Sequence, residues 1–253
     1  MPRTPRPVAL LAVVLAAVIL GWYSWIDRED ASQAAPSDLP ATSAPDVAGA
    51  PGTGALASEA LAQLAVKGRA PRTGYSREQF GRPWRDLDRN GCDQRNDVLR
   101  RDLSAISLKP GTRDCVVQSG VLVSPYSGRS VAFTRGSVTS RQVPIDHVVA
   151  LSDAWQKGAQ QWTADRREQF ANDFLELVAT DETTNSAKSD GDAATWLPPL
   201  KSSRCAYVAR QVAIKAEYRL WVTAAERDAM RRVLAACPDE RLPSGADRLS
   251  APA

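Results

Sequence analysis

Two segments of the sequence, IDHVVALSDAW at residues 145–155 and LELVATDETTNSAKSD at residues 175–190, decide the fold of this chain. The first segment is an apolar run interrupted by an Asp–His pair, and it predicts a short strand with that pair at its end. The second segment predicts a strand at 175–179, followed by a short helix at 183–189. Together they place the polar side chains that carry chemistry on two strands and one helix.

His147 is the only histidine of the chain. A single histidine excludes zinc sites that need two or more imidazoles, and it is the obvious carrier of protons near neutral pH. Asp146, Asn185 and Lys188 add a carboxylate, an amide oxygen and a cation. Divalent cations such as Mg²⁺ prefer oxygen ligands, and a histidine beside them can deprotonate a water that attacks phosphorus. A lone histidine at a strand end also commonly serves packing alone, so the residues by themselves leave a structural role open.

Composition and charge limit the class of protein. Of the 253 residues, 43% are hydrophobic, which excludes a mostly disordered chain and predicts one domain of about 150–200 residues. The net charge of +3 is unevenly distributed. Residues 27–66 are acidic, and residues 67–253 carry a net charge of +6. This moderately basic part is compatible with an anionic partner.

The N-terminal residues 1–26 have the pattern of a targeting segment. Pro7 to Ile26 carry no charged residue, and a helix of this length spans roughly 30 Å, the thickness of a bilayer core. Arg3 and Arg6 precede this stretch, which places its C-terminal side outside the cytoplasm. The segment is either a retained signal anchor or a cleaved signal peptide. Either kind of segment predicts an extracytoplasmic protein, which a retained anchor would hold at the membrane and a cleaved peptide would leave secreted.

Three further regions follow the targeting segment. Residues 27–66 are rich in Ala, Pro and Ser, which predicts a disordered linker. Residues 67–237 are expected to form the folded domain, and residues 238–253 a flexible tail.

Four cysteines, an even number in an exported chain, predict disulfide bonds. They are Cys92, Cys115, Cys205 and Cys237. Three pairings are open, of which Cys92–Cys115 with Cys205–Cys237 is the most economical because each pair brackets one local unit. A free thiol pair is the alternative.

The coarse pattern along the chain is helical, then β-rich, then helical again, which predicts an α+β fold. The β-rich stretch runs from 115 to 149. Helices are expected over Asp93–Leu103, Thr163–Phe174, Ala206–Tyr218 and Thr223–Ala236, the last opened by a capping box of Thr223 and Glu226.

Several motifs, taken in order, resemble one family. They are FGRPWRDLDRNGCDQRNDVLRRDL from residue 80, IDHVVALSDAW and LELVATDETTNSAKSDGDAATWLPP around the histidine, and RCAYVARQVAIKAEYRLWVTAAERDAM from residue 204. This order is similar to that of HNH endonucleases of the ββα-metal (His-Me finger) type, in particular the GmrSD restriction-endonuclease C-terminal-domain family in an exported bacterial form. The resemblance covers about residues 72–237.

The resemblance implies a role for each matching residue. His147 would be the general base, and Asp146 and Asn185 would bind a divalent metal, Mg²⁺ or alternatively Mn²⁺. Lys188 and Arg95 would lie near the substrate phosphate. The implied partner is nucleic acid, DNA rather than RNA, and the products would carry 5′-phosphate and 3′-hydroxyl ends. No sequence-reading module and no protein partner are indicated.

Two positions depart from the pattern of the family. Glu176 stands where an asparagine is expected to fix the loop that carries the histidine, and Ser189 stands where glycine is usual. Glu176 is therefore expected either to join the metal ligands or to oppose the entry of an anionic substrate, and Asn172 is a poorly placed substitute for the missing amide. The alternative function is a catalytically weakened or inactive surface-anchored binding protein on the same fold.

Residues 86–97 begin like a calcium loop of the EF-hand type. Asp86, Asp88 and Asn90 stand at positions 1, 3 and 5, and Gly91 stands at position 6. Position 8 is Asp93 where an apolar residue is normal, so the sequence favours a polar turn over a Ca²⁺ site. The tryptophans, including Trp84, are expected in the core rather than as platforms for bases.

Overall fold

The computed structural model describes residues 54–247 and residue 249. The predicted targeting segment, residues 1–26, and most of the predicted linker lie outside the described residues. Within the described part, no helix is long and apolar enough to cross a membrane.

The described residues form an α+β fold, as the sequence predicts. The α-helices are α1 (Ala57–Gln63), α2 (Gln94–Asp102), α3 (Leu151–Gln156), α4 (Ala164–Ala171), α5 (Glu182–Lys188), α6 (Arg204–Tyr218) and α7 (Ala224–Leu234). The strands are β1 (Ser104–Leu108), β2 (Val117–Val123), β3 (Ser130–Thr134), β4 (Ile145–His147) and β5 (Leu177–Ala179). Short 3₁₀ helices occur at Arg77–Phe80, Thr139–Gln142, Ala159–Gln161 and Lys201–Ser203. The predicted capping box of α7 is present, whereas α3 was not expected from the sequence.

The strands form two separate antiparallel sheets. One sheet has the order β1-β2-β3 and the other consists of β4 and β5 alone. In the second sheet Asp146 lies opposite Val178 and His147 lies opposite Leu177. Because α5 begins three residues after β5, the chain from β4 to α5 contains a ββα unit.

The ββα unit lies between two hydrophobic clusters. Alternation along β5 places Leu177 and Ala179 in the smaller cluster, with residues of α2 and of the three-stranded sheet. Val178 points the other way, into the larger cluster that includes Phe170 and Tyr207. Three-residue strands are too short to be stable alone, so this packing on both faces holds them in place.

Both disulfide bonds of the most economical predicted pairing are formed. Cys92 is bonded to Cys115, and Cys205 is bonded to Cys237. The first joins the loop before α2 to the segment before β2, and the second joins α6 to the residues after α7. In the chain-entropy model each bond stabilises the fold by about 3–4 kcal/mol.

The folded part begins earlier than the sequence predicted. Helix α1 lies inside residues 27–66, the range expected to be a disordered linker. Ala57, Ala60 and Leu61 share one face of this helix and are buried against α6 and α7. Small alanines hide this face in the sequence because linkers are also rich in alanine.

The predicted tail, residues 238–253, is also partly packed. Leu242 is buried, and its backbone carbonyl accepts a hydrogen bond from Gly54 while its N–H donates to Ala55. The two ends of the described chain therefore lie side by side. This pairing of distant residues leaves no local signal in the sequence.

Six charged side chains form one ion network, in which five are buried and the Arg69 side chain is 35% exposed. They are the acids Asp153, Asp192 and Glu226 and the bases Arg69, Lys157 and Lys215. The Lys157 ammonium lies 2.7 Å from Asp153, 2.8 Å from Asp192 and 2.6 Å from Glu226. Three positive charges balance three negative charges, which is the condition under which buried ions are tolerated.

Replacing one member of this network removes that balance. We expect Lys157→Met to lower the free energy of unfolding by about 3–5 kcal/mol, because three carboxylates would share two cations. Lys109→Met, at an exposed lysine, should change it by less than about 0.5 kcal/mol. Urea denaturation measures both values, and a loss below about 1 kcal/mol for Lys157→Met would contradict the structural role of the network.

Candidate active site

His147 is fixed in one tautomer at the end of β4. The side chain is 8% exposed, and its Nε2 lies 3.0 Å from the backbone carbonyl of Ala171. A carbonyl only accepts hydrogen bonds, so Nε2 carries the hydrogen and Nδ1 keeps a free lone pair. Burial lowers the pKa of His147 to about 3, and the positive charges of Arg77 and Lys188 act in the same direction. At neutral pH the imidazole is therefore a neutral proton acceptor.

A cleft of about 170 Å³ opens beside the imidazole. Its wall combines apolar and charged groups: Arg77, Glu78, Phe80, Gly81, Pro83, Trp84, His147, Leu151 and Ala171. Arg77 is exposed, and its guanidinium forms no hydrogen bond or ion pair within the described residues. The cleft thus offers a free cation and an aromatic ring next to the neutral histidine.

Asp146 is held by two donors. The Tyr126 hydroxyl donates to its Oδ2 over 2.6 Å, and the Lys188 ammonium lies 3.0 Å from each carboxylate oxygen. Lys188 also donates to the backbone carbonyl of His147 over 2.7 Å. The structure therefore brings together three residues that the sequence singled out, Asp146, His147 and Lys188.

The position of Lys188 adds a structural role to the one predicted. The side chain is fully buried, and its ammonium is engaged with Asp146 and with the backbone of β4. These bonds tie the end of α5 to β4. A contact of Lys188 with a substrate phosphate stays a prediction.

Asn185 lies one turn before Lys188 on α5. Residues three apart on a helix share a face, so the half-buried Asn185 lies on the side of α5 that carries Lys188. Its side-chain amide forms no hydrogen bond with the described residues. The amide oxygen is therefore free to serve as a ligand.

The start of α5 is fixed by Asp181. Its carboxylate accepts hydrogen bonds from the hydroxyls of Ser124, Ser127 and Thr184 and from the Thr184 N–H. Burial opposes the charged form, yet these hydrogen bonds lower the pKa of Asp181 to about 2. The helix that carries Asn185 and Lys188 is thereby anchored to the turn between β2 and β3.

Asp181 predicts an acid sensitivity with a defined sign. A carboxyl whose pKa is lower in the folded state than its usual 3.9 stabilises the fold above about pH 4, and the contribution is lost as pH falls toward 2. Asp181→Ala should cost roughly 1–2 kcal/mol at pH 7 through loss of the helix cap. Thermal melts from pH 7 to pH 2 should show a smaller acid-induced loss in the variant. An equal loss in both proteins would contradict this assignment.

Glu176 takes the loop-fixing position that the resemblance gives to an asparagine. It is 0% exposed, and its two carboxyl oxygens lie 3.1 and 3.3 Å from the N–H of Val149. Its backbone carbonyl accepts from Val148 over 2.9 Å. Burial raises the pKa of Glu176 well above its ordinary value, while the charge of Lys188 and the hydrogen bond from Val149 lower it. This buried position supports neither of the roles expected of Glu176, as a metal ligand or as an acid that opposes the entry of an anionic substrate.

Asn172 does not replace the missing amide. Its Oδ1 accepts from the N–H of Arg85 over 2.9 Å, and its Nδ2 donates to the carbonyls of Arg82 and Glu168. Asn172 therefore fixes the segment at 82–85, which borders the cleft, and has no hydrogen bond to the loop after His147.

Arg95 lies near the same border. It donates to the carbonyls of Ser140 and Val143 over 3.3 and 3.1 Å, and its guanidinium lies 5.8 Å from the centre of the Trp84 ring. These contacts connect α2 to the segment before β4. A phosphate contact of Arg95 stays a prediction.

Three residues of this region were not predicted from the sequence. Trp84 was assigned to the core, but it lines the cleft, and Arg77 was not singled out. Tyr126, which holds Asp146, comes from a turn 20 residues earlier in the chain. None of the three has a spacing signal that links it to His147, since the fold alone brings them together.

Glu176 can be tested by two substitutions. Glu176→Gln should leave the melting temperature within a few degrees of wild type, because the amide oxygen still accepts from Val149 and burial already disfavours the charged form of the native group. Glu176→Ala should cost about 1–3 kcal/mol, because it leaves a buried N–H without an acceptor. Chemical denaturation of both variants gives the comparison. Equal losses would show that the hydrogen bond to Val149 is unimportant.

The fold and the site together define a class. An Asp–His pair on the first of two antiparallel strands, with Asn and Lys on the helix that follows, is the arrangement of a ββα domain. The family described as GmrSD restriction endonucleases, C-terminal domain, matches residues 93–233, more than half of the chain. The chain belongs to this family.

One relative is similar to this chain over a longer stretch than the one that the family matches. The chain is 38% identical over 183 residues to an uncharacterized secreted protein of Arthroderma benhamiae. The matched region covers 72% of this chain and 84% of the relative. No solved structure matches this chain.

Proposed function

We propose that this protein is an exported, metal-dependent endonuclease that hydrolyses phosphodiester bonds of nucleic acids, with DNA favoured over RNA. The observation that carries the proposal is the fixed tautomer of His147 at the edge of the cleft, next to Asp146 on the same strand. Membership of the restriction-endonuclease domain family supports the same reaction class.

The chemistry assigned to the chain starts with a water molecule at Nδ1 of His147. The imidazole takes one proton, and the water oxygen attacks phosphorus as the bond from phosphorus to the 3′ oxygen breaks. The leaving 3′ oxygen takes a proton from solvent and the imidazolium returns its proton to solvent, so the products carry a 5′-phosphate and a 3′-hydroxyl. The hydrogen bond from Nε2 to Ala171 keeps Nδ1 unprotonated and fixes the plane of the ring.

The donor set fits a hard divalent cation. Asp146 offers a carboxylate and Asn185 a free amide oxygen, and both are ligand types that Mg²⁺ and Mn²⁺ accept. When bound, the metal would stabilise the negative charge that develops on the phosphate and the leaving oxygen. Tyr126 and Lys188 hold the Asp146 carboxylate in one orientation. Lys188 also balances its buried charge.

The substrate class follows from charge. The part of the chain from residue 67 onward carries a net charge of +6, and the free guanidinium of Arg77 stands in the cleft wall beside His147. Such a surface attracts a phosphate backbone without regard to its sequence. We therefore propose a nuclease of low sequence specificity.

Two features support an extracellular location. The described part carries two disulfide bonds and no free cysteine, and the fungal relative is named as a secreted protein. Export through residues 1–26, with or without a retained membrane anchor, is part of the proposal.

His147→Ala is the decisive substitution. General base catalysis contributes typically about 10²–10⁴-fold, so the variant should nick plasmid DNA at least about 100-fold more slowly in the presence of Mg²⁺. EDTA should abolish nicking by the wild type, and Asp146→Asn should reduce it by a similar factor. The assay uses the purified chain with its disulfides intact, with Glu176→Gln as a control at a buried group that stays within about threefold of wild type.

Rescue with free imidazole separates a missing base from a damaged fold. Imidazole in the buffer should restore part of the activity of His147→Ala and none of that of Asp146→Asn. If the wild type leaves both DNA and RNA intact with every metal but binds them, the protein is instead a catalytically inactive binding protein on this fold.

A further inference from the structure

The loop that precedes α2 collects oxygen atoms. Asp86 accepts from the N–H groups of Asn90 and Gly91 over 3.2 and 2.9 Å, and Asp88 accepts from the side-chain amide of Asn90 over 3.1 Å. Arg89 and Gly91 have positive φ angles of 58° and 89°, which turn the chain sharply around these side chains. By itself this geometry describes a polar turn.

Asp97 adds an observation that a turn does not explain. It lies on α2, eleven residues after Asp86, and is 8% exposed. Its Oδ2 is inaccessible to solvent and has no hydrogen-bond partner among the residues that the structure describes. Leaving a buried carboxylate oxygen without a donor costs free energy, so the position is unfavourable unless another group satisfies the oxygen.

The Asp97 carboxyl faces the loop. With Asn90, Arg100 and Arg101 it lines a surface cavity of about 530 Å³, whose wall does not include Asp86 or Asp88. Burial raises the pKa of Asp97, and the negative charges of Asp88 and Asp86 raise it further, while a hydrogen bond from Asn90 and the charge of Arg100 lower it. The unpartnered oxygen therefore lies in the field of the loop carboxylates, where a cation would relieve both the repulsion and the missing bond.

We propose that Asp86, Asp88, Asn90 and Asp97 form a Ca²⁺ site, completed by the backbone carbonyl of Cys92. Ca²⁺ takes six to eight oxygen ligands, and this spacing supplies positions 1, 3, 5, 7 and 12 of a calcium loop. Position 12 holds aspartate rather than the usual glutamate. The expected dissociation constant is in the range of extracellular modules, about 10⁻⁴–10⁻³ M.

The departures from a standard loop have structural reasons. Asp93, at position 8, caps α2 by accepting from the N–H of Asn96, and the apolar residue normal there is absent. Cys92, at position 7, is bonded to Cys115. A calcium loop is usually supported by a second calcium loop packed against it, and here the disulfide gives that support. The site stands apart from Asp146 and does not depend on the proposed nuclease activity.

The consequence of the site lies in the wall of the cleft. Trp84 lines the cleft at His147 and stands two residues before Asp86, and its backbone carbonyl accepts from Gln94 over 3.4 Å. Arg95 packs on the Trp84 ring. A cation bound by residues 86–97 would therefore also order this edge of the cleft.

Calcium titration of the metal-free full-length chain tests the proposal. Calorimetry should detect one Ca²⁺ bound to the wild type, and millimolar Ca²⁺ should raise the melting temperature. Asp88→Asn and Asp97→Asn should each weaken binding at least tenfold and remove the thermal shift. Asp239→Asn, an exposed acid elsewhere on the surface, should bind Ca²⁺ as the wild type does.

Two further variants make the outcome unambiguous. Asp146→Asn should keep the calcium binding, which separates this site from the metal site of the proposed nuclease. Without Ca²⁺, Asp97→Asn should melt no lower than the wild type, because it removes an unsatisfied charge, so lost binding is not a folding defect. The proposal is overturned if the wild type binds no Ca²⁺ at 10 mM, or if Asp88→Asn and Asp97→Asn bind it like the wild type.

Discussion

The balanced charges of Asp153, Lys157 and their four partners, all buried except Arg69, are the constraint on which the rest of the structure depends. Asp153 lies on α3, the helix that follows the histidine strand, and Lys157 is the residue directly after that helix. Asp192 follows α5. Glu226 comes from α7 and Lys215 from α6. One set of ion pairs thus fastens both ends of the ββα unit to the C-terminal helices. Because isolated buried ions are so costly, these elements have to dock together in one arrangement.

Within that frame, each short element of the ββα unit is locked to the next by one polar side chain. Lys188 ties α5 to β4, Glu176 ties β5 to the segment after β4, and Asp181 ties the start of α5 to a turn of the other sheet. Strands of three residues have too few backbone bonds to hold their own register. The side chains that position the histidine are therefore also the ones that make its strand stable.

The sequence predicted what local patterns encode and missed what distant packing decides. Three predicted features are present, and each follows from spacing within its own stretch of the chain. They are the ββα elements, the α7 capping box and the economical disulfide pairing. Helix α1 was missed because its buried face consists mainly of alanine, and Tyr126 and Trp84 were missed because only the fold brings them to the site. The position of Glu176 was missed for another reason, since the residue type does not reveal that the side chain is buried against the N–H of Val149, where its pKa is raised.

The buried Glu176 carboxyl matters for the electrostatics of the whole site. Burial raises its pKa most, the charge of Lys188 lowers it, and the charge of Asp146 raises it. Asp146 accepts the hydrogen bonds from Lys188 and Tyr126, while Glu176 accepts the N–H of Val149. Arg77 and Glu78 both line the cleft wall, and neither forms an ion pair with the described residues. Because Glu176 is buried and is not among the residues that line the cleft, position 176 adds no acidic side chain to the cleft wall.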